Sequence, residues 1–249
     1  MIKLCTYNVN LVKFADKISE TISDNDIDIC GMQEVAGISS LLKLPIVKSC
    51  EYQAVFDESY KTYGTGAIFR KSKFTLISKE TFILTKGPTN KKSLFKVVLK
   101  HITGKIVTIY NTHLHHASEI RRLTEWRTLL SHINLQEPHI LMGDFNALTN
   151  SDYTIKEWDM MTAIRSKDKW EAPVETLTQE IAQTHYDRFF NPRPTSRFNT
   201  RVDYILTPKF LPVTIKNIRV LDVEGSDHKP VMCDYYFDHN NDITFIDTS

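Results

Sequence analysis

The chain has 249 residues, of which 41% are hydrophobic and 24% charged, and this is the composition of an ordinary soluble globular protein. One large α/β domain is usual at this length, although two small domains would also fit. Because 31 basic residues stand against 30 acidic ones, the net charge of +1 excludes a strong overall field, and an anionic partner would need a local basic surface.

Short apolar or β-branched runs recur along the chain, and most are strand-like in length and composition. They are Ile2–Val9, Ile27–Met32, Gln53–Phe56, Ala67–Arg70, Thr75–Phe82, Phe95–His101, Lys105–Asn111, His139–Met142, Val202–Leu206 and Val231–Phe237. Helical periodicity marks Phe14–Ser23 and Ala117–Ile133. The apolar stripe of the second helix is Ile120, Leu123, Trp126, Leu130 and Ile133, widened by Leu129. Strands outnumber helices in a mixed order, which predicts a two-sheet core with helices outside.

The chain shows no internal repeat and no domain boundary, so a single domain over residues 1–249 is predicted. Two segments are long enough to be extended loops, Thr85–Ser93 and Thr149–Arg201. Trp158 and Trp170 lie in the second segment, where a packed cap over the core is favoured over substrate contact. The polar residues from 239 to 249 are expected to form a loosely docked tail.

The four cysteines, Cys5, Cys30, Cys50 and Cys233, include no CxxC pair, which favours reduced thiols over disulfides or metal ligands. The chain begins with a strand-like run, so no signal peptide is expected. No apolar run approaches the ~18 residues that a membrane span requires. These observations predict a soluble intracellular protein.

Polar side chains follow most of the predicted strands. They are Asn8 and Asn10, Glu34, His113, Asp144 and Asn146, Asp203, and Asp227 with His228. Each alone is also typical of an ordinary turn or a solvated strand end. Six polar strand ends that each break an apolar run favour one shared crevice, because mixed sheets gather such ends together.

These residue types suit a hard divalent cation and a phosphate. Carboxylate, amide and water oxygens are ligands for Mg²⁺ or Mn²⁺, whereas a zinc site would need more His or Cys at short spacing. His228 stands beside Asp227, with Asp203 available to orient its ring, and an opposed carboxylate raises the pKa of a histidine. A nucleophilic triad is the alternative, but it needs a Ser or Cys elbow such as GxSxG, which the sequence lacks.

With these residues in order, the chain resembles the endonuclease/exonuclease/phosphatase superfamily, the deoxyribonuclease-I-like fold, from residue 1 to about residue 237. The matching signatures are Thr6-Tyr7-Asn8, Gln33-Glu34, Gly66–Arg70, Thr112-His113-Leu114, Arg122 with Glu125, Gly143-Asp144-Phe145-Asn146, Val202-Asp203-Tyr204 and Ser226-Asp227-His228. The resemblance implies an α+β fold, a four-layer αββα sandwich of two packed mixed β-sheets flanked by helices. It also implies that the site lies at one end of the paired sheets.

The resemblance implies a Mg²⁺ or Mn²⁺ site with Glu34 as the principal ligand and with Asn8 and Asp227 near the ion. Asn10 falls where many nucleases of the family carry an aspartate that supports the metal. An amide ligates more weakly and removes one negative charge, which puts the metal affinity in question. His113 fills the place of the second histidine of deoxyribonuclease I, but the carboxylate that partners that histidine has no clear counterpart here, and Tyr63 lies near its place.

Catalytic roles follow from the same resemblance. Asp144 would orient or deprotonate the attacking water, and Asn146 would hydrogen-bond the phosphoryl oxygen as charge develops there. His228, oriented by Asp203, would bind the phosphate. His113 would be the candidate acid for the leaving oxygen.

The stretch between Asp187 and Arg201 bears on the substrate. It interleaves Arg188, Arg193, Arg197 and Arg201 with Phe189, Phe190 and Phe198. Arginines on phosphates and aromatic rings on bases are typical of a single-strand grip, so Arg193, Arg197, Arg201 and Phe198 are predicted to bind substrate. The alternative is that the phenylalanines pack in the core and Arg201 pairs locally. Arg122 is also assigned to substrate binding, and Lys86, Lys91 and Lys92 form a second basic loop.

The leading hypothesis is therefore an enzyme, a metal-dependent phosphodiesterase acting on nucleic acid, such as a nuclease or a DNA-repair enzyme of the tyrosyl-DNA phosphodiesterase kind. A phosphoinositide or inositol-phosphate phosphatase, or another lipid phosphodiesterase, is the main alternative. An inactive binding module is disfavoured, because every catalytic position holds a competent residue. Nothing in the sequence indicates an obligate protein partner.

Overall fold

Two six-stranded mixed sheets face each other in the computed structural model of the chain, which describes residues 1–59, 63–85, 91–167, 169–189 and 192–237. The strands are β1 (Ile2–Asn8), β2 (Ile29–Val35), β3 (Tyr52–Phe56), β4 (Gly64–Arg70), β5 (Phe74–Thr85), β6 (Lys92–His101), β7 (Ile106–His113), β8 (Ile140–Asp144), β9 (His185–Asp187), β10 (Asp203–Pro208), β11 (Thr214–Val220) and β12 (Val231–Tyr236). The helices are α1 (Ala15–Asp24), α2 (Ile38–Leu41), α3 (Pro45–Lys48), α4 (Glu119–Leu130), α5 (Ile155–Lys167) and α6 (Thr176–Thr184), with 3₁₀ turns at Asn10–Val12 and Asn150–Asp152.

The first sheet has the order β11-β12-β1-β2-β4-β3 and the second the order β5-β6-β7-β8-β10-β9. Each sheet contains one parallel pair near its centre, β1 with β2 and β7 with β8, and its other pairs are antiparallel. The two parallel pairs bring the carboxyl ends of four strands to one end of the molecule.

The core has three apolar layers, which follow from the alternation of side chains along the strands. Between the sheets, Leu4 and Phe69 pack with Phe95 and Met142. A second apolar cluster packs α1 against the outer face of the first sheet. A third cluster, which includes Trp126, packs α4 and α6 against the outer face of the second sheet. The predicted αββα sandwich is confirmed.

All ten predicted strands have a counterpart, whereas β9, β11, α2, α3, α5 and α6 have no counterpart in the predicted elements. β11 is a polar edge strand with a bulge between Lys216 and Arg219, and β9 is only three residues long, so neither carries a clear alternation. In α4 the predicted stripe is partly wrong, because Ile120 is 75% exposed while Glu119, Arg122 and Glu125 are buried.

Within the described part of the chain, no helix combines the length and the apolar character that crossing a membrane would require. The four cysteines are all unpaired, and Cys50 alone among them is exposed. The predicted tail from 239 to 249 lies outside the described residues.

Candidate active site

The polar strand ends meet at one end of the paired sheets. In the parallel pairs, Asn8 is in register with Gln33 and His113 with Asp144. The antiparallel strand β10 begins at the same place, with Asp203 opposite Asp144. The register of the sheets therefore gathers residues that are far apart in sequence.

Side-chain amides fasten the two sheets together behind this crevice. Gln33 of the first sheet donates from Nε2 to Oδ1 of Asn111 in the second sheet at 2.7 Å. Asn111 in turn donates from Nδ2 to the carbonyl oxygens of Met32 and Gly66, each at 2.9 Å. Buried amides that are bonded in this way fix the position of one sheet relative to the other.

Asp144 lies at the centre of the site and is buried. Its Oδ2 accepts a hydrogen bond from Nδ2 of Asn8 at 3.1 Å, and its Oδ1 accepts one from the backbone N–H of Asn146 at 3.0 Å. The same Oδ2 lies 3.5 Å from Nε2 of His113 and 3.9 Å from Nε2 of His228. Burial, and next the negative charge of Asp203, raise the pKa of Asp144 to about 7.

Gly143 is required by the close approach of β7 and β8 immediately before Asp144. Its φ is +149°, and a Cβ built there would lie 2.0 Å from the carbonyl oxygen of Thr112. Asn146 also has a left-handed backbone, with φ +50°, and its Nδ2 donates to the carbonyl oxygen of Leu114. The turn after β8 is thus shaped to hold Asp144 and Asn146 at the crevice.

His228 is held in its charged form by Asp203. Nδ1 of the imidazole lies 2.9 Å from Oδ2 of the carboxylate. Burial lowers the pKa of His228, but the carboxylates of Asp203, Asp144 and Asp227 outweigh it and raise that pKa to about 10. At neutral pH this side chain is a fixed cation facing the cleft.

His113 has the opposite protonation state. Burial, and next the positive charges of Lys92 and His228, hold its pKa well below the usual range. His113 is therefore neutral in this structure and carries no extra proton to give to a leaving group. Of the two histidines, His228 is the one that carries a transferable proton.

Glu34 reaches the cleft through a β-bulge. The pairing of β2 with β4 shifts between Met32 and Val35, and Glu34 has a left-handed φ of +54°. A bulge of this kind redirects a side chain out of the strand's alternation. Glu34 lines the cleft and hydrogen-bonds Tyr63, whose pKa is raised by burial and by the charge of Glu34.

The donor set of the cleft fits a hard divalent cation. Glu34, Asp144 and Asp227 all line it and offer carboxylate oxygens, which Mg²⁺ prefers together with water. Potential ligand atoms of Asp144, Asp203 and His228 also lie within 4.8 Å of one another. His228 is already paired with Asp203 and protonated, so Glu34 and Asp227 are the better candidate ligands.

Asn8 and Asn10 do not line the cleft, unlike the other predicted metal ligands. Among the described residues, the cleft is lined by Glu34 and Asp227 but not by the two asparagines. Asn8 is fully buried and accepts the backbone N–H of Asn10 at 3.2 Å while it donates to Asp144. Its geometry is that of a support for Asp144.

The cleft has a volume of about 830 Å³, and one of its walls is apolar. That wall is formed by Met160, Met161 and Ile164 of α5 together with Trp170 and Phe198. The rings of Trp170 and Phe198 meet edge to face, with centroids 5.6 Å apart. Because Trp170 is half-exposed and lines the cleft, the expectation of a packed cap is wrong for this residue.

Two of the arginines assigned to substrate are structural instead. Arg201 is buried, with Nε 2.6 Å from Asp152 and Nη2 2.7 Å from Asp187, so the local-pairing alternative describes it. Arg122 is also buried. Its guanidinium contacts Glu119, Glu171 and the carbonyl oxygens of His115 and His116. Neither arginine has the exposed guanidinium that a phosphate contact requires.

The other predicted substrate residues lie at the cleft or beside it. Arg197 and Phe198 line the cleft, with the Arg197 guanidinium 4.8 Å above the phenylalanine ring. Arg193 lines a neighbouring cavity. Phe190 and Lys86 lie outside the described residues.

Several residues at or near the cleft were not predicted to be site residues from the sequence. Lys92 lines the cleft and is half-buried, and its desolvation lowers its pKa. His115 and His116 line the cleft directly after His113 and Leu114, and this adjacency was the available signal. Glu125 is fully buried and accepts the backbone N–H of His115 at 2.8 Å, a role visible only once α4 is docked.

Comparison with known proteins agrees with this arrangement. Residues 5–228 match the model of the Endonuclease/Exonuclease/phosphatase family. No curated protein matches the chain.

Three similar solved structures each align with 95% of the chain. One is a functionally unknown conserved protein from Enterococcus faecalis V583, with 19% identity, a TM-score of 0.72 and 100% of that chain covered. The human Nocturnin catalytic domain with bound sulfate anion has 20% identity, a TM-score of 0.69 and 93% of its chain covered. D. rerio TDP2 complexed with single strand DNA product has 16% identity, a TM-score of 0.65 and 99% of its chain covered.

At these identities the solved structures support the fold alone, whereas the family match extends over most of the chain, from residue 5 to residue 228. The chain belongs to the endonuclease/exonuclease/phosphatase family.

Proposed function

We propose that this chain is a Mg²⁺- or Mn²⁺-dependent phosphodiesterase that hydrolyses phosphodiester bonds in nucleic acid. The observation that carries the proposal is the pairing of a base and a cation across one cleft. Asp144, with its pKa raised to about 7, lies 3.9 Å from the protonated His228. Two titratable groups whose pKa values are pushed apart are typical of acid–base sites.

In this proposal, Asp144 accepts the proton of a water that attacks phosphorus. Asn8 and the backbone N–H of Asn146 hold the carboxylate in place for that transfer. A P–O bond forms to the water oxygen while the P–O bond to the leaving oxygen breaks, and the leaving oxygen keeps the bonding electron pair and takes a proton from solvent. His228 donates a hydrogen bond to a phosphoryl oxygen and stabilises the negative charge that develops there.

Glu34 and Asp227 are the residues that would hold Mg²⁺ or Mn²⁺. The chemistry that such an ion supplies when bound is neutralisation of phosphate charge and stabilisation of the leaving oxygen. Asp144 and Asp203 repel each other in the same buried region, and this repulsion contributes to the raised pKa of Asp144. A site that crowds carboxylates in this way is suited to a cation.

Two observations favour nucleic acid as the substrate. Phe198 is 57% exposed at the cleft and carries the guanidinium of Arg197 on its ring, and this combination suits a base next to a phosphate. A similar fold, that of D. rerio TDP2, is complexed with single strand DNA product. Human Nocturnin, also similar, holds a sulfate anion.

A lipid phosphodiesterase or phosphoinositide phosphatase is the second candidate, and α5 favours it. This helix buries none of its residues, and Met160 and Ile164 are more than half exposed beside the catalytic residues. Exposed apolar patches often mark a binding site for an apolar group. An acyl chain would be such a group.

A substrate panel separates the two candidates. The purified chain would be assayed with Mg²⁺ on single-stranded, duplex, abasic and 5′-tyrosyl DNA, on RNA and on phosphoinositides. We expect cleavage of at least one nucleic acid and its loss when EDTA removes the metal. Phosphate release confined to lipids would overturn the nucleic-acid assignment.

A further inference from the structure

A second cavity of about 370 Å³ lies next to the catalytic cleft. Ser196, Arg197 and Asn199 line both spaces, so the loop 196–199 is the ridge between them. The far side of this ridge presents Arg193 and Lys229 in addition to Arg197. The cavity is therefore a direct continuation of the site, reached by crossing one loop.

The ridge is fixed relative to the catalytic histidine by backbone pairing. Ser196 forms a β-bridge with His228. The N–H of Arg197 donates to the carbonyl oxygen of Asp227 at 2.8 Å, and the N–H of Lys229 donates to that of Thr195 at 2.6 Å. His228 lines the cleft while the next residue, Lys229, lines the second cavity, so one short segment serves both spaces.

The charge of the second cavity is positive. Its lining contains the three cations Arg193, Arg197 and Lys229 and one acid, Asp222. Asp222 pairs with Lys229 at 2.8 Å, but the Asp222 side chain is 88% exposed and Lys229 is 46% exposed. An ion pair in solvent is weak, so Lys229 can turn to an anion that enters the cavity.

The ridge also carries an aromatic ring. Phe198 follows Arg197 on the ridge and lines the cleft, with the Arg197 guanidinium stacked on its ring. The site residues of the cleft, a ring on the ridge and the basic cavity beyond it are therefore adjacent. A single strand of nucleic acid repeats the matching order of phosphate, base and phosphate.

We propose that the second cavity binds the internucleotide phosphate next to the scissile one, in a single-stranded polynucleotide. The inference rests on the proposed function and sharpens it, because it requires a substrate with at least two phosphates. An acyl chain on the apolar wall of α5 would make no use of the cations that line this cavity.

The test compares substrates that differ by one phosphate. The dinucleotide TpT has only the scissile phosphate, whereas TpTpT has a second. With Mg²⁺, we expect the parent to have a kcat/KM about tenfold higher on TpTpT than on TpT, as a charge-assisted contact to the added phosphate would provide. In the double variant Arg193→Gln/Lys229→Gln, this preference should fall towards one.

Binding provides a readout that is independent of catalysis. Anisotropy of labelled hexathymidylate would be followed in EDTA between 50 and 200 mM salt, a range over which phosphate contacts weaken strongly. The double variant should lower the slope of log K against log salt by about 1.4, because each single-strand contact contributes about 0.7. The matched control is Lys71→Gln/Lys100→Gln, which removes two exposed lysines from the opposite end of the sheets.

The outcomes separate the two levels of the account. Equal hydrolysis of TpT and TpTpT, together with a salt slope in the double variant equal to that of the control, would overturn the second site and leave the proposed function standing. A parent that cleaves no oligonucleotide would overturn the proposed function, and the salt slope would then decide the cavity alone. If the double variant does not fold, each single variant should lower the slope by about 0.7. A double variant that loses inositol polyphosphate binding but keeps the full slope for hexathymidylate would overturn the polynucleotide assignment.

Discussion

Nδ1 of His228 lies 2.9 Å from Oδ2 of Asp203, and this ion pair keeps His228 positively charged. Oδ1 of the same carboxylate is buried without a hydrogen-bond partner among the described residues, so the imidazolium is the main compensation for the Asp203 charge. The pair leaves Nε2 of His228 on the side of Asp144, 3.9 Å from its carboxylate. In the proposed mechanism Asp203 would therefore act through His228.

Replacing Asp203 with Asn should remove the force that keeps His228 protonated. Activity that needs the charged form is present below the folded pKa of His228 and is lost as pH rises through it, at about pH 10 in the parent. In Asp203→Asn the alkaline loss should move to lower pH, and kcat should fall by up to roughly 10⁴-fold, the loss seen when the carboxylate of a catalytic triad is replaced by an amide. A pH–kcat profile measures both. An unchanged alkaline limb would contradict the role given to Asp203.

Gly143→Ala should destabilise the protein strongly. The new Cβ would lie 2.0 Å from the Thr112 carbonyl oxygen, and backbone cannot yield as a flexible side chain can. We expect a loss of about 3 kcal/mol or more in the free energy of unfolding, measured with urea. Gly104→Ala is the control, because Gly104 also has positive φ but nothing lies within 4 Å of its Cβ position. That variant should lose only about 1 kcal/mol. Equal losses in both would refute the close-approach explanation.

Arg201 and Arg197 should respond differently to replacement by alanine. Arg201→Ala strands the Asp152 and Asp187 carboxylates beside a buried space and should cost about 3–5 kcal/mol of stability. The Arg197 side chain is 62% exposed, so Arg197→Ala should change stability by less than about 0.5 kcal/mol and weaken substrate binding instead. Urea denaturation and KM distinguish the two. A stable Arg201→Ala protein with raised KM would restore Arg201 to the substrate site.

A histidine pair far from the cleft should make stability fall in mild acid. Nδ1 of His139 donates to the Glu137 carbonyl oxygen at 2.7 Å, and its Nε2 lies 3.0 Å from Nε2 of His185, where one nitrogen donates and the other accepts. A contact of this kind needs at least one neutral ring. Burial lowers the pKa of both rings, and the second titratable cation, His139, lowers the pKa of His185 further, to about 3.

Because the folded pKa of His185 lies below its unfolded value, its stability contribution is intact above about pH 6.5 and is lost as pH falls toward 3. Between about pH 7.5 and pH 5 the loss from His185 alone should be about 2 kcal/mol. The comparison is the urea unfolding free energy of the parent and of His185→Gln at both pH values. The variant should show a shallower pH dependence by that amount, and equal dependence in both proteins would exclude the pair as the cause.

Much of the site was predictable from the sequence because its residues follow apolar strands. Glu34, Asp144 and His228 each end or begin a buried run, and the register of the parallel pairs brings such positions together. The local sequence shows these positions, because each apolar strand-like run and the polar residue that interrupts it can be seen along the chain.

What could not be predicted depends on partners that are remote in sequence. The sequence predicts that Arg201 binds phosphate, whereas in the structure Arg201 pairs with Asp152 and Asp187. Ile120 reads as core, yet α4 turns its polar face inward because Arg122 ties Glu171 and two backbone carbonyls to that helix. The apolar residues of α5 do not recur at the spacing of a buried helix face, because this helix lines a cleft and buries none of its residues. The sequence therefore did not predict it.

The most direct test of the account is the single-turnover rate of Asp144→Asn on a cleaved oligonucleotide with Mg²⁺. The substitution keeps the shape of the side chain and removes its ability to take a proton from water. We expect a rate loss of at least about 10³-fold, with substrate affinity held within about threefold. Stability should be equal or higher, because a repelled and buried carboxylate is gone. An Asp144→Asn protein that cleaves as fast as the parent would contradict the central claim.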